Sequence, residues 1–525
     1  MPNLLPLSML IATAWLAPPL PAAEGVSSQL NGARGGDAAT KPRKRKAAKR
    51  AREVAASGDD NDSGGHPKTG LALARRLGIS SDDSRPEQQR ETTLLGKRLI
   101  LGGKLSVDAR GRSNYDLVSG AKDDDINVAP EATLEAIWLP SKTDVVFAAV
   151  KATDETDLYK GGGGAGSKAG VELDSLWYLK TRLLGTPLAV QVGRQKMQDR
   201  RNWWWDDNID AVRLHYFGSK LTAFVGVGTV SAVRLSTLHQ LDPEEKGLLR
   251  AFGTADWEWA NRNIISVFAL RQNDRTSRYA LGAVIDRNRA DKQDANLTWL
   301  GARVRGCVKP KLPRRICYWG DIAQVRGTEV AYNLNRAGAT TNIVSRITNR
   351  DVSGWSYDAG VSIEMPIKLR PYLTLGYAWG SGDPPATPGR DGAFRQTGLH
   401  KNDGKFLGLT RFRYYGEVLL PDLSNIAIGT VALGVPVGKH GWVETIWHRY
   451  RQPVAANSIS GSHLNRNPNG IDKRLGDELD VVMSYRPPSG WVYELTGGAL
   501  RAGPAFGAGS GKVAGLIELK VDYNF

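Results

Sequence analysis

Beyond residue 93, apolar and polar residues alternate with a period of two in one segment after another. Gly103, Leu105, Val107 and Ala109 share one face of such a segment, and Lys104, Ser106, Asp108, Arg110 and Arg112 share the other. Ala132, Leu134, Ala136 and Trp138 lie opposite Glu131, Thr133 and Glu135. Leu249, Ala251, Gly253, Ala255, Trp257 and Trp259 face away from Arg250, Thr254, Asp256 and Glu258. The same division sets Tyr357, Ala359, Val361 and Ile363 against Asp358, Ser362 and Glu364, and Leu479, Val481, Met483 and Tyr485 against Glu478, Asp480 and Ser484. Ile517, Leu519, Val521, Tyr523 and Phe525 alternate with Glu518, Lys520, Asp522 and Asn524 and finish on the aromatic. Period two with one apolar face marks a strand that lies against a non-aqueous medium. A soluble sandwich would also bury that face, but so many long strands with ionised residues on the second face suit a wide, wet lumen. The pattern predicts an all-β chain, a transmembrane antiparallel β-barrel, with the segment ending at Phe525 pairing back to the first strand.

Nineteen candidate strands start near residues 98, 130, 144, 171, 186, 209, 219, 249, 263, 294, 314, 352, 370, 404, 423, 440, 475, 490 and 513. A bacterial single-chain barrel with both ends on one side needs an even number. Removing Phe406 to Tyr415 leaves 436–440 as a short turn, so eighteen strands are expected, enough to enclose an aqueous channel. Long loops at 155–170, 327–351 and 452–474 are expected to cover the mouths.

Composition accommodates this. Hydrophobic residues make up 41% and the mean hydropathy is −0.34, so no continuous apolar run betrays a span, as expected when alternate residues face water. Fifteen Trp and sixteen Tyr can supply two interfacial girdles, and 59 Gly suit many turns. Cys307 and Cys317 flank a hairpin connection and are either bridged or free; two cysteines make neither a disulfide scaffold nor a zinc quartet.

Residues 1–23 read as an export signal, with an apolar core from Leu4 to Leu16 and small residues at Ala22 and Ala23, although no Lys or Arg precedes the core. Prolines end that stretch short of a spanning helix. Residues 24–93 form a basic, low-complexity periplasmic extension; Lys41 to Arg52 holds eight basic residues in twelve, and the segment reads as disordered. For an exported chain a nucleic-acid arm does not fit, and a spacer, or a tail touching anionic polymer or lipid, does. Residues 94–525 form the barrel, and the expected site is the bacterial outer membrane and its lipid.

Charge narrows the cargo. The chain carries +16, of which the first 91 residues hold +4, leaving +12 for the remainder. Because the outer band must be apolar, the excess is expected in the lumen, loops and turns, where it would concentrate anions. Arg110, Arg112, Arg213, Arg250, Arg411 and Arg413 lie in or beside predicted strands, and a guanidinium fork matches carboxylates. Interspersed Glu131, Glu135, Asp256 and Glu478 would keep binding weak enough for release. No catalytic constellation emerges: the seven His are scattered without H-E-x-x-H, and His448 and Tyr450 share a strand face without a serine beside them. The glycine runs 161–164 and 380–383 precede no helix, and Asp123 to Asp125 read as a solvated loop. No enzyme, metal or cofactor is expected.

Val192-Gly-Arg-Gln195, Trp203-Trp-Trp-Asp-Asp-Asn-Ile-Asp-Ala211, Asp242-Pro-Glu-Glu-Lys246, Leu297-Thr-Trp-Leu-Gly301, Tyr318-Trp319 and Val325-Arg-Gly327 resemble the alginate outer-membrane export porins. Gly376-Tyr-Ala-Trp-Gly-Ser-Gly382, Phe394-Arg-Gln-Thr-Gly-Leu399, Tyr415-Gly-Glu417 through Leu423-Ser-Asn425, Gly476-Asp-Glu-Leu-Asp480 and Gly503-Pro-Ala-Phe506 carry the likeness to the end, over about residues 95–525. The resemblance implies a monomeric eighteen-stranded barrel that passes a polyuronate outward through an arginine-rich constriction. Lys104, Arg194 and Arg411 match basic pore positions of that family, and Asp206 an acidic one. Asp174 stands where the family has an Arg, Tyr493-Glu-Leu495 replaces an Arg-x-Arg, and Arg194 falls on the apolar phase unless Gly193 marks a bulge. The expected function is electrostatically assisted passive diffusion of an anionic exopolysaccharide, alginate or a related polyuronate, supplied from the inner membrane through a periplasmic export scaffold. An uptake porin for small anionic solutes or oligosaccharides is the alternative; a closed adhesive barrel is the third reading.

Overall fold

The computed structural model describes residues 70–78, 90–118, 124–161, 166–230, 232–238, 241, 243–274, 276, 278–308, 315–384 and 389–525; the expected export signal and the basic run 41–52 lie outside them. Eighteen strands build the wall. The first six are β1 Lys97–Ser113, β2 Asp125–Leu139, β3 Asp144–Lys160, β4 Ser167–Lys180, β5 Leu188–Gln198 and β6 Asp206–Phe217. Then come β7 Leu221–Thr229, β8 Leu248–Ala260, β9 Asn263–Asp274, β10 Gln293–Val308, β11 Ile316–Arg336 and β12 Thr341–Glu364. The last six are β13 Tyr372–Gly380, β14 Ile426–Val437, β15 Gly441–Arg451, β16 Arg474–Tyr485, β17 Trp491–Ala502 and β18 Val513–Asn524. Each pairs antiparallel with its neighbours in the chain. β18 returns to β1, with Gly515–Asn524 against Lys104–Ser113, and the ring is closed.

The expected count and the excluded segment both hold. Residues 406–415 contribute no wall strand; a two-residue pairing, Asp403–Gly404 with Phe412–Arg413, lies inside the lumen instead. The loop expected at 327–351 is absent as a loop. β11 and β12 form one continuous hairpin with its tip at 337–340, and 21 residues extend about 70 Å, well beyond what a bilayer-crossing strand needs. Likewise β3 and β4 run on to Lys160 and resume at Ser167, shortening the loop expected at 155–170.

Side chains on the outward phase stay exposed: Leu134 is 63% accessible, Val225 59% and Ile517 60%. In a soluble protein such a band would be an aggregation surface; around a closed barrel it is the lipid-facing belt. Aromatic groups sit at both ends of it. Trp491, Tyr493, Tyr523 and Phe525 stack near the rim that carries the short turns, and Trp355, Tyr357, Tyr377 and Trp379 near the opposite rim. The strands that end at Gln198, Thr229, Asp274, Gly380 and Arg451 reach that opposite rim, where the longer connections begin.

At the seam, Phe525 exchanges two backbone hydrogen bonds with Gly103, of 3.0 and 3.1 Å. A methyl group on Gly103 would stand 2.7 Å from the Phe525 ring, so only glycine leaves the notch that seats it. Below that point the edge of β1 is taken by a short strand, Arg90–Leu94, folded back through Leu95 and Gly96, both with positive φ. Cys307 and Cys317 face each other across β10 and β11 and are disulfide-bonded.

Two pieces of the segment expected to be disordered are therefore ordered: the strand 90–94 and a helix, α1 (Gly70–Gly78). The basic composition of residues 41–52 dominates the sequence reading of 24–93, whereas Gly70-Leu-Ala-Leu-Ala-Arg-Arg-Leu-Gly78 carries its own apolar face.

Candidate functional site

The lumen has a packed side and an open side. On the packed side, the turn 199–205 folds inward between β5 and β6, and residues 389–425 of the long connection lie against it. Trp204 stacks on Phe268 at 4.8 Å, Trp203 lies parallel to Phe394 at 6.2 Å, and Trp205 tilts onto Phe252. The wall makes room for them with glycine: a methyl group at Gly301 would come within 2.3 Å of Trp204. The Trp203 Nε1–H donates to the Tyr415 hydroxyl at 2.9 Å, and the Trp299 Nε1–H to the Arg395 carbonyl at 2.7 Å.

Ion pairs pin this assembly to the wall. Arg201 is held between the faces of Trp319 and Tyr414, 4.6 and 4.4 Å from the ring centres, while donating to Asp358 at 2.8 Å and Asp321 at 3.3 Å. Arg303 bridges Asp199 at 2.6 Å and Asp321 at 2.5 Å, and Arg395 reaches Glu329 and Asp391. Burial alone would depress the Arg201 pKa; the carboxylates of Asp358 and Asp321 hold it above the usual range. The Asp199 carboxyl, which burial would raise, is kept low by Arg303 and by the backbone N–H of Trp204. Removing one member would strand a buried charge, so the network fixes one position for the inward segments.

The open side is a cavity of about 420 Å³. Its wall carries Lys104, Arg110, Arg112, Lys196, Lys401, Arg411, Arg413, Arg486 and Lys520, nine bases, against Asp108, Asp206, Asp403, Glu417, Glu494, Glu518 and Asp522, seven acids. The lining of this cavity carries a net excess of two bases. The groups alternate in pairs: Arg110 with Glu518 at 2.9 Å, Arg411 with Asp403 at 3.1 Å, Lys196 and Lys401 both with Asp206 at 3.7 and 3.5 Å, and Arg486 with Glu494 at 2.7 Å. On the neighbouring strands, Lys104, Glu131, Lys151 and Glu172 continue the alternation as a ladder. Glu417 reaches the cavity edge but is buried, which pushes its carboxyl up to about 7 against the backbone N–H of Arg413.

Of the nine residues the sequence singles out, Lys104, Arg110, Arg112, Asp206, Arg411 and Arg413 come together around this cavity. Three do not. Arg194 is buried against Asp210 at 3.1 Å and the Leu173 carbonyl; the register is continuous through Gly193, so no bulge is present and Arg194 stays on the phase of Val192 and away from the cavity. Arg213 is buried among Gln191 and Gln195 and lines a separate, smaller cavity. Arg250 is buried beside Gln272 and lines neither. Asp174 is the extra residue of a bulge in β4, since Ala149 pairs with Ser175 and Val150 with Leu173; it accepts from Asn208 at 3.0 Å. Glu494, in the place of the family's Arg-x-Arg, is the cavity partner of Arg486. Sequence reasoning missed Lys196, Arg486, Glu518, Lys520 and Asp522; the last three sit on the polar phase of β18 and could have been found there.

Comparison with known proteins agrees with this architecture. The alginate export family model matches residues 97–517. The chain is 26% identical to "Alginate production protein AlgE" of Pseudomonas aeruginosa over 347 residues, 61% of this chain and 67% of that protein. It is 24% identical to the protein of the same name from Pseudomonas syringae pv. tomato over 311 residues, 56% of this chain; this match spans only 60% of that protein's length. Among solved structures, OccAB1 of Acinetobacter baumannii superposes with a TM-score of 0.51 at 12% identity, covering 84% of this chain and 99% of that one, a likeness of fold alone. With the family model matched over most of the wall, and the barrel closed as described, the chain belongs to the alginate export family.

Proposed function

We propose that the protein is a bacterial outer-membrane channel that passes an anionic exopolysaccharide, alginate or a related polyuronate, outward by passive diffusion. The observation that carries this is the open side of the lumen, where half-buried, cavity-lining Lys and Arg alternate with carboxylates at 2.7 to 3.9 Å. A polyuronate carboxylate can exchange places with a wall carboxylate on a guanidinium at small net cost, because one charge-assisted pair replaces another. Each contact is then short-lived, and the ladder offers the next one. Diffusion is biased by supply from the periplasmic side, through an export scaffold, and the channel performs no chemistry; a monomer suffices, since the lumen is bounded by one chain.

The test is single-channel conductance in a planar bilayer with polyuronate of graded length. Anion selectivity with block that lengthens with chain length supports export. Block by small carboxylates only would favour the uptake porin, a reading the packed side of the lumen favours by narrowing the path. A cation-selective channel would overturn the proposal.

A further inference from the structure

α1 lies outside the matched family region, yet it is seated on the inner wall. Leu73 and Ala74 are buried in a cluster with Ile100, Ile137, Val145, Phe147, Trp177 and Leu179. These wall residues are on the lumen phase of β1 to β4, close to the short-turn rim. Higher on the same strands, the lumen phase carries Lys104, Glu131, Lys151 and Glu172. An apolar patch pointing into a water-filled barrel needs a cover, and the helix is that cover. Its two terminal glycines let it sit close: a methyl group at Gly78 would stand 2.9 Å from the Phe147 ring, and one at Gly70 3.2 Å from Val145.

The seat lies on the path. Arg76, Leu77 and Gly78 line a cavity of about 170 Å³ together with Arg213, His215 and Asp256. Lys196 and Gln198 line both this cavity and the large one, so the two meet on β5. Only Leu73 and Ala74 of the helix are fully buried, and nine residues are too few to hold a helix in water without a partner. Leaving the wall therefore also unwinds the helix, which makes the released state a free tether and not a competing body in the lumen.

We propose that residues 70–78 are a tethered plug of the short-turn mouth, an autoinhibitory segment that occupies the apolar lumen patch until polymer displaces it. The inference rests on the channel reading above. The test is planar-bilayer conductance of the full chain beside L73E, A74E and a G70C/V145C pair, with folding checked by heat-modifiable mobility. L73E and A74E should raise conductance by roughly twofold, as removing an obstruction from the mouth does. The oxidised G70C/V145C pair should hold the low level and resist polyuronate entry, and reductant should restore the wild-type level while leaving single-cysteine controls unchanged. Equal conductance and equal polyuronate block in wild type, L73E and the locked pair would overturn the plug and leave the channel reading standing. A silent barrel in every variant would defeat the channel reading, and the plug with it.

Discussion

The two sides of the lumen use the same chemistry to opposite ends. On the packed side, the Arg201 and Arg303 side chains are 10% and 2% accessible, and their partners Asp321 and Asp358 nearly inaccessible. On the open side Arg110 keeps 41% of its surface and Arg112 33%, although their carboxylate partners are as close. Distance does not separate a strut from a stepping stone; water does. A pair without water is expensive to break from either end and so holds a segment in place. A hydrated pair is worth little and can trade partners with a passing anion.

Breaking the packed side should have the largest effect. Asp358→Ala removes the acceptor shared by Arg201, Trp319 and Tyr415 and leaves Arg201 only Asp321 at 3.3 Å, a loss that should cost about 3 kcal/mol. The expected outcome is a wider, noisier conductance and protease cleavage within 381–425. A variant with wild-type noise and intact 381–425 would mean that the aromatic packing alone holds the segment.

Next comes the open side. Arg411→Ala with Arg413→Ala should shorten polyuronate block by roughly tenfold, about 1.4 kcal/mol, while the barrel stays folded. Block lifetimes unchanged by the double substitution would place the polymer elsewhere. Arg250→Gln sharpens the contrast from the other direction. Buried and on neither cavity, it should leave anion selectivity unaltered and lower resistance to urea in detergent by about 1 kcal/mol.

The smallest effect is a pH dependence. With the Glu417 carboxyl raised to about 7 by burial, acidification from pH 8 to 6 adds its proton and removes one negative charge from the cavity edge. Anion selectivity should therefore rise modestly as pH falls through 7, measured as reversal potential in a salt gradient. Glu417→Gln should flatten that step; persistence of the step in the variant would assign it to another group.

The wall was legible because lipid imposes a strict rule on alternate residues, and Leu105, Trp257 and Leu479 obey it. Phe406 to Tyr415 imitates the rule, but its apolar residues answer to Trp319 and the other aromatics inside the lumen, and parity together with the short turn at 436–440 exposed it. The upper hairpin of β11 and β12 was misread because it rises beyond the bilayer: only one face is covered, by Tyr279 and Ile285 on Tyr332 and Val344, and polar residues crowd the rest. Trp203-Trp204-Trp205 has no period at all, since a packed turn presents neighbouring residues to different surroundings. Arginines were the hardest to sort. Arg110 and Arg250 look alike in the sequence, and only the inward segments decide which one meets water.

The short strand beside the seam has a mechanical meaning. Arg90–Leu94 holds the lower edge of β1 by five residue pairs, directly beneath the point where Phe525 is seated on Gly103. Tension that enters the chain at residue 90 meets those pairs first and opens them one after another, from Arg90 on Leu101 to Leu94 on Lys97, before it bears on the joint between β1 and β18. The hairpin is thus a fuse: it can yield and reform while the seam behind it bears no force.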